Sequence, residues 1–424
     1  MCENTSRAYK DVAVVLGRKP SGAGGRPGSP PAVKPPAMLS RGPSPLIPNL
    51  GGSAAKNRNE HRSLGHPLAT GALSNTLKLL WGNGGVDCRF LLRALNIILS
   101  NLVLTPFRLL EVSKWAGAVE KTEVRDAPIF IIGTWRSGTT YLHNLMAQDP
   151  GLGFVSTLQA FCPDLCIEGA KVLYPIFQRL LPKKRPMDNM AMALEYPQEE
   201  EYAMANLSPY SFYIGYSLPR RMASLFDMLS FEDGCGDVLD AWKRVYLRVL
   251  KKATLIKGGR RLVVKNPMNT ARIPALLEMF PDARFVFLYR NPYVIYPSLL
   301  YTFSRMIGAF QLERVATEEI EDNVLAIYEK MMRAYWKDRG SIPPENLVEI
   351  RFEEFEKDSL AAVEGIYRRL RLPGFERAKD RFEKYLASQA GYEKNRYTVS
   401  SKTVDRISRR WRFAIERLGY SPPE

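Results

Sequence analysis

The stretch Ile129-Phe130-Ile131-Ile132-Gly133-Thr134-Trp135-Arg136-Ser137-Gly138-Thr139-Thr140 runs four apolar residues into a loop bounded by two glycines and closed by two threonines. So short an apolar run reads as a buried strand, and a glycine-bounded turn from strand into helix has the wiring of a phosphate-binding loop. Backbone N–H groups at the start of such a helix point at an anion, and the helix dipole favours negative charge there. Gly133 and Gly138 let the chain bend tightly around an oxyanion. The candidate ligands are Thr134, Trp135, Arg136, Ser137, Gly138, Thr139 and Thr140, with the threonines as hydroxyl donors and Arg136 as a planar cation that grips oxygens in pairs. Thr139 stands where the ATPase pattern G-x-x-x-x-G-K-[ST] has its lysine, so the group that reaches β- and γ-phosphates is missing. A nucleotide with a short 5′ chain fits better.

A second departure lies at 284–289, Arg-Phe-Val-Phe-Leu-Tyr, which reads as a buried parallel strand. A nucleoside triphosphatase is expected to carry a magnesium-holding carboxylate near the end of such a strand. This strand instead runs into Arg290-Asn291-Pro292, with Ser298 eight residues beyond the arginine. Pro292 suits the first turn of a helix, which puts Arg290 at the strand's carboxyl edge and Ser298 on the helix returning from it. Both reach toward a second phosphate, separate from that in the loop.

The run from Gly133 to Leu145, taken with Arg290 and Ser298, resembles the PAPS-dependent sulfotransferase superfamily in the branch common in bacteria. Leu-Val-Val-Lys-Asn-Pro at 262–267, Phe-Pro-Asp-Ala-Arg-Phe at 280–285 and Tyr-Pro-Gln-Glu-Glu-Glu-Tyr at 196–202 fit that branch, and the likeness spans about residues 127–420. It implies a P-loop-type three-layer α/β/α fold with a central parallel sheet and the loop after the first strand. The implied reaction moves a sulfuryl group from 3′-phosphoadenosine 5′-phosphosulfate (PAPS) to a hydroxyl or amine of a small-molecule, lipid or carbohydrate acceptor. Adenosine 3′,5′-bisphosphate (PAP) leaves as product, and no metal is required. By the same resemblance the loop holds the 5′-phosphosulfate, Arg290 and Ser298 hold the 3′-phosphate, and Arg396, in the basic aromatic-flanked segment 392–397, adds a contact to it.

Transfer to a hydroxyl asks for a proton acceptor, and for cations where charge develops on the leaving phosphate. Of three histidines, His61 and His66 lie in the irregular N-terminal region, which leaves His143, one turn into the helix after the loop. Its expected role is local packing. Several branches of the superfamily use a glutamate after the second strand, but that stretch here offers Gln159, which cannot accept a proton usefully. Glu199, Glu200 and Glu201 remain, where a helical pattern starts and where the dipole favours acidic residues whatever their function. Glu199 or Glu200 is the expected base, and sequence does not separate them. Lys265 ends the apolar run 262–264 at a strand's carboxyl end, where ligands bind in open α/β sheets, and joins Arg136 as a candidate charge stabiliser.

The chain of 424 residues reads as one catalytic domain, 121–424, preceded by a tail, 1–75, and a helical extension, 76–120. Residues 1–75 hold ten Pro, ten Gly and ten Lys or Arg against three Asp or Glu, or +7 of the chain's +16. That composition belongs to disordered basic segments, and Met38 is an internal candidate start. The early apolar run 12–17 is too short for a secretory signal, and five cysteines without zinc spacing fit a reducing cytoplasm. Residues 86–115 are apolar with polar residues at helical spacing and Pro106 as an interruption. Two readings stay open for them: amphipathic packing on the catalytic domain, or a membrane-surface helix that makes the protein membrane-peripheral.

Apolar runs near 129–132, 153–157, 262–265, 284–289 and 347–351 alternate with helical patterns, as a parallel sheet covered on both faces demands. The Met- and aromatic-rich region 160–255 is expected to wall an acceptor pocket. No nucleic-acid-binding motif is present, and a polyanionic donor accounts for the local cations. The rival functions are a P-loop kinase, set against by the missing lysine, and a non-catalytic membrane-associated scaffold that binds nucleotide without turnover.

Overall fold

Five parallel strands, β1 (Ile129–Ile132), β2 (Leu152–Gly153), β3 (Arg261–Lys265), β4 (Arg284–Tyr289) and β5 (Leu347–Arg351), stand side by side in the order β2-β3-β1-β4-β5. The structure, a computed structural model, describes residues 65–81, 85–185, 187–188, 190–231, 236–391, 397 and 399–423. Successive side chains of a strand point to opposite faces, and here both faces are apolar. Phe130, Ile132, Val264, Phe285 and Phe287 enter one buried cluster, while Ile129, Ile131, Val263, Val286 and Leu288 enter another. This double burial is why the strands read as unbroken apolar runs. Helices Gly236–Ile256, Thr317–Asp338 and Ser401–Leu418 contribute to the first cluster, and Phe352–Lys357, Ser359–Arg369 and Phe375–Ser388 to the second. The arrangement is the expected three-layer α/β/α fold.

Two N-terminal segments belong to the same body. The turn Pro67–Thr70 is capped by His66, whose Nδ1 accepts from the Leu68 N–H at 3.2 Å while its Nε2 bonds the Phe310 carbonyl at 2.9 Å. Burial lowers the His66 pKa to about 4, so the ring is neutral and the Nε2 hydrogen points at Phe310. Helices α1 (Leu73–Trp81) and α2 (Leu91–Glu120) follow, and Leu68, Leu79, Ala94 and Ile97 join the first core cluster. The expected boundaries at 75 and 120 therefore do not separate cores; residues 65–75 are folded, and the rest of the expected tail, 1–64, lies outside the described residues. Pro106 does not interrupt α2, because its ring is on the exposed side, where the lost hydrogen bond costs least.

Beyond β1, the loop 133–138 leads into α3 (Thr139–Met146). Strand β2 is shorter than the run 153–157 because Ser156 starts α4 (Thr157–Phe161) through a capping box: Gln159 N–H donates to Ser156 Oγ at 3.3 Å, and Ser156 N–H to Gln159 Oε1 at 2.7 Å. Helix α5 (Ala170–Leu180) packs on α2, α6 (Glu201–Leu207) follows the three glutamates, and α7 (Pro292–Phe310) returns from β4. The chain leaves β1 toward β2 and β3, then crosses back to β4 and β5. The carboxyl ends of β1, β3 and β4 meet at that change of direction, where open α/β sheets form their binding crevice.

Gly138 caps α3 in the left-handed region, φ 94°, with the Phe352 ring directly over it. A side chain there meets both the backbone penalty of roughly 1–2 kcal/mol and the ring. Gly138→Ala is expected to lower stability by about 2 kcal/mol, read as a shifted urea midpoint with unchanged slope.

Candidate active site

The phosphate loop is held open from behind. Thr270 clamps its first glycine, accepting from the Gly133 N–H at 2.8 Å and donating to the Gly133 carbonyl at 3.2 Å. Ser137 Oγ donates to the Thr134 carbonyl at 2.7 Å, and both residues are buried, so Ser137 spends its hydroxyl on the loop itself and neither of these two expected ligands lines the cavity. Arg136 takes a left-handed backbone, φ 72°, which throws its guanidinium clear of the loop. The Thr139 and Thr140 N–H groups, in the first turn of α3, have no intrahelical acceptor and remain an anion-binding feature.

Trp135, Arg136, Gly138, Thr139, Thr140, Arg290 and Ser298 line one cavity of about 530 Å³, which also receives Glu199. Arg136 Nε donates to Ser298 Oγ at 2.9 Å and its Nη1 to Asp188 at 2.7 Å. Arg290 Nη1 donates to the Arg136 carbonyl at 3.4 Å, and its guanidinium lies over the Phe352 ring at 4.4 Å. The loop and the β4 edge, separated by about 150 residues, are thus one cationic site. Two further cations escaped the sequence reading: Arg185, which donates to Thr140 Oγ1 at 3.1 Å, and Arg305 on α7. The run Lys183-Lys184-Arg185 marked a basic patch, yet nothing in it pointed to Thr140. Arg396 lies outside the described residues.

The three adjacent glutamates have three different partners. Glu199 accepts from Lys265 Nζ and from the Tyr213 hydroxyl, which in turn accepts from Trp135 Nε1 at 3.2 Å. Glu200 turns away from the cavity, contrary to its expected candidacy as base. Its Oε1 accepts from Tyr246 Oη at 2.8 Å, Asn269 Nδ2 at 3.0 Å and Asn266 Nδ2 at 3.1 Å. Glu201 accepts from Arg272 Nη1 at 2.8 Å, Asn266 Nδ2 at 2.7 Å and the Phe212 N–H at 2.8 Å. Burial pushes the Glu201 carboxyl up, but the Arg272 guanidinium and these donors outweigh it and hold the pKa below its ordinary value. Lys265 is buried beside Glu199 and does not line the cavity; burial lowers its pKa against the opposing pull of Glu199. His143 is packed behind the loop with Nε2 at 3.2 Å from the Val263 carbonyl, and burial lowers its pKa to about 3. Gln159 serves the helix cap described above.

A model of the sulfotransferase family matches residues 128–377, a segment that contains both phosphate elements and the three glutamates. The chain belongs to the sulfotransferase family. The enzyme is 30% identical over 302 residues, 71% of its length and 77% of the relative's, to omega-hydroxy-beta-dihydromenaquinone-9 sulfotransferase Stf3 of Mycobacterium bovis. Its fold is similar to that of the sulfotransferase STF9 of Mycobacterium avium (TM-score 0.58, 18% identity, 76% of this chain and 86% of that one). It also resembles STF1 of Mycobacterium tuberculosis H37Rv (TM-score 0.54, 19% identity, 80% and 90%). The kinase alternative gives way to this membership.

Glu200 supplies a test of how the carboxylates divide their work. Burial raises its pKa from 4.5 to about 7, so between those values the folded enzyme keeps a proton that the unfolded chain releases. Its contribution is therefore full at low pH and is lost as pH rises through that window. Glu200→Gln is expected to flatten this fall, so that its melting temperature gains on the wild type from pH 5 to pH 8; a constant offset across the range would remove Glu200 as the cause.

Proposed function

We propose that the enzyme takes its sulfuryl group from PAPS and passes it in line to a hydroxyl of an apolar, lipid-like acceptor, with Glu199 as general base. The carrying observation is that Glu199 alone of the three glutamates lines the cavity, and that it does so between Lys265 and Tyr213. The residues present suit the donor. Arg136, Arg185, Arg290 and Arg305 line the cavity, enough charge for a nucleotide with a phosphate at each end of its ribose. In this reading the amides and hydroxyls of Thr139 and Thr140 hold the 5′ side, and Arg290 and Ser298 hold the 3′-phosphate, with Arg396 added to them.

The cavity also has apolar lining, with Phe161, Met187, Met192, Tyr202, Tyr216 and Phe310 in its wall. Such a lining suits an acceptor that presents one hydroxyl on a hydrocarbon body. The relative named for an omega-hydroxy dihydromenaquinone supports the same class.

The acceptor oxygen bonds to sulfur as the bond between sulfur and the 5′-phosphate oxygen breaks. The electron pair leaves with PAP, and the hydroxyl proton passes to Glu199. Lys265 donates to Glu199 and so fixes its position, and Arg136, which lines the cavity, offsets the charge collecting on the leaving phosphate.

Two substitutions test the two ends of the site. Arg290→Ala is expected to weaken calorimetric binding of PAP by roughly 10- to 100-fold and to spare AMP, since a charge-assisted hydrogen bond is worth about 1.5–3 kcal/mol. Equal losses for both nucleotides would sink the 3′ assignment. Glu199→Gln is expected to cut kcat by roughly 10²- to 10⁴-fold with PAP affinity retained. An unchanged rate removes Glu199 as the base.

A further inference from the structure

Helix α2 is built inside out. Between residues 91 and 110 its exposed side carries Leu91, Leu92, Leu95, Leu99, Leu102, Val103, Leu109 and Leu110, with Leu92 83% and Val103 68% exposed. Its inward side buries Ala94 and Ile97 but also carries most of the polar groups, Asn96 being exposed. Asn101 Nδ2 donates to the Leu68 carbonyl at 3.0 Å and to Thr76 Oγ1 at 2.7 Å, and Arg108 Nη2 donates to the Thr70 carbonyl at 2.9 Å. Glu111 accepts from the Ile167 N–H at 3.0 Å and the Gly169 N–H at 3.2 Å. The charged residues of 91–110 are Arg93 and Arg108, and Arg93 also turns to the protein, donating to the Gln311 carbonyl at 2.7 Å. A helix on a water-exposed surface has the opposite pattern, and a contiguous apolar face of this length marks an interaction site.

The run Cys88–Glu120 is long and apolar enough to cross a bilayer. The inward bonds argue against that use, since crossing would tear Asn101, Arg108 and Glu111 from partners in the catalytic body. They suit a helix lying along a surface. What rims the leucine face identifies that surface. Trp81 is 82% exposed at the end of α1, with exposed Lys78 one turn before it and exposed Arg89 at the start of the apolar run. Helix α5, whose Phe177 packs on the same buried cluster as Leu104 and Phe107 of α2, adds a stripe at Val172, Ile176 and Leu180, followed by exposed Lys183 and Lys184. Residues 1–64, which carry ten Lys or Arg against three Asp or Glu, enter the fold at Gly65 on the cavity wall. An apolar face edged by an indole and by cations fits a layer with hydrocarbon inside and negative charge at its surface.

We propose that α2, with the outer stripe of α5, is an in-plane anchor that seats the enzyme on an anionic lipid bilayer. The same helix bonds the carbonyls of Leu68, Thr70 and Gln311, chain neighbours of the cavity-lining Pro67 and Phe310, so the seated enzyme holds that part of the cavity wall beside the lipid. The anchor itself does not depend on the acceptor assignment.

The test is flotation of the full chain with phosphatidylcholine vesicles made with and without phosphatidylglycerol, beside a variant carrying Leu99→Gln, Leu102→Gln and Leu109→Gln. These positions are exposed, and glutamine is a good helix former, so the variant keeps its fold, checked by unchanged PAP binding and melting temperature. The wild type is expected to float best with phosphatidylglycerol, and the variant's partitioning to fall by on the order of 10²-fold or more. A wild type that stays in solution, or a variant that floats equally well, overturns the anchor. Equal binding to both vesicle types overturns its anionic preference. A wild-type dimer in sedimentation that the variant converts to monomer, without vesicle binding, gives the face to a second copy of the chain instead.

Discussion

Three consecutive carboxylates buried at the head of one short helix are the constraint on which the site depends. A buried carboxylate without a partner is costly, so each of Glu199, Glu200 and Glu201 has to find donors, and adjacent residues on a helix face different ways. Glu199 meets Lys265 at the end of β3; Glu200 meets Tyr246, Asn266 and Asn269; Glu201 meets Arg272 and the backbone at Phe212. Those partners span β3, the turn after it, the helix Gly236–Ile256 and the turn Phe212–Tyr216. Satisfying these carboxyl groups therefore locks α6 to the central sheet. Only the first carboxylate is left at the cavity.

The phosphate side is organised by close approach. Gly133 is clamped by Thr270 from the same turn that satisfies the glutamates, and Gly138 lies under Phe352, which also carries the Arg290 guanidinium. One aromatic ring thus spaces both phosphate elements. Gly65, Pro67 and Phe310 form part of the cavity wall, and α2 is bonded to the segments that carry them. Chemistry at the sheet edge and the apolar outer surface are linked by a few hydrogen bonds to backbone carbonyls.

Some of this was legible from local sequence. The loop announced itself because strand, glycine spacing and hydroxyls are contiguous, and Arg290 with Ser298 because a proline fixes where strand becomes helix. The strands near 129–132, 262–265 and 284–289 were visible because both sheet faces are covered there, and the edge strand 347–351 by its Leu, Val and Ile around an exposed Glu349. Other features were hidden by competition between local signals. Gln159 sits where some relatives of the fold place an acid, but its amide completes a helix cap. Pro106 suggests a break, yet its ring is on the outside of α2. The residues 65–75 share the Pro/Gly richness of the segment before them, and their fold comes from His66 reaching Phe310, 244 residues away.

By itself the sequence determined the glycine-bounded loop after β1, the arginine at the end of β4, the parallel sheet and the class of reaction, because each rests on residues close together in the chain or on burial patterns that repeat along it. The tertiary structure alone decided which glutamate meets the cavity, that Arg185 and Arg305 join the cations, and that the leucines of α2 face outward. Those outcomes depend on distant partners. Lys265, Arg272 and Asn266 divide the three carboxylates among them, and the carbonyls of Leu68, Thr70 and Gln311 draw the polar side of α2 inward, leaving its apolar side without cover among the described residues.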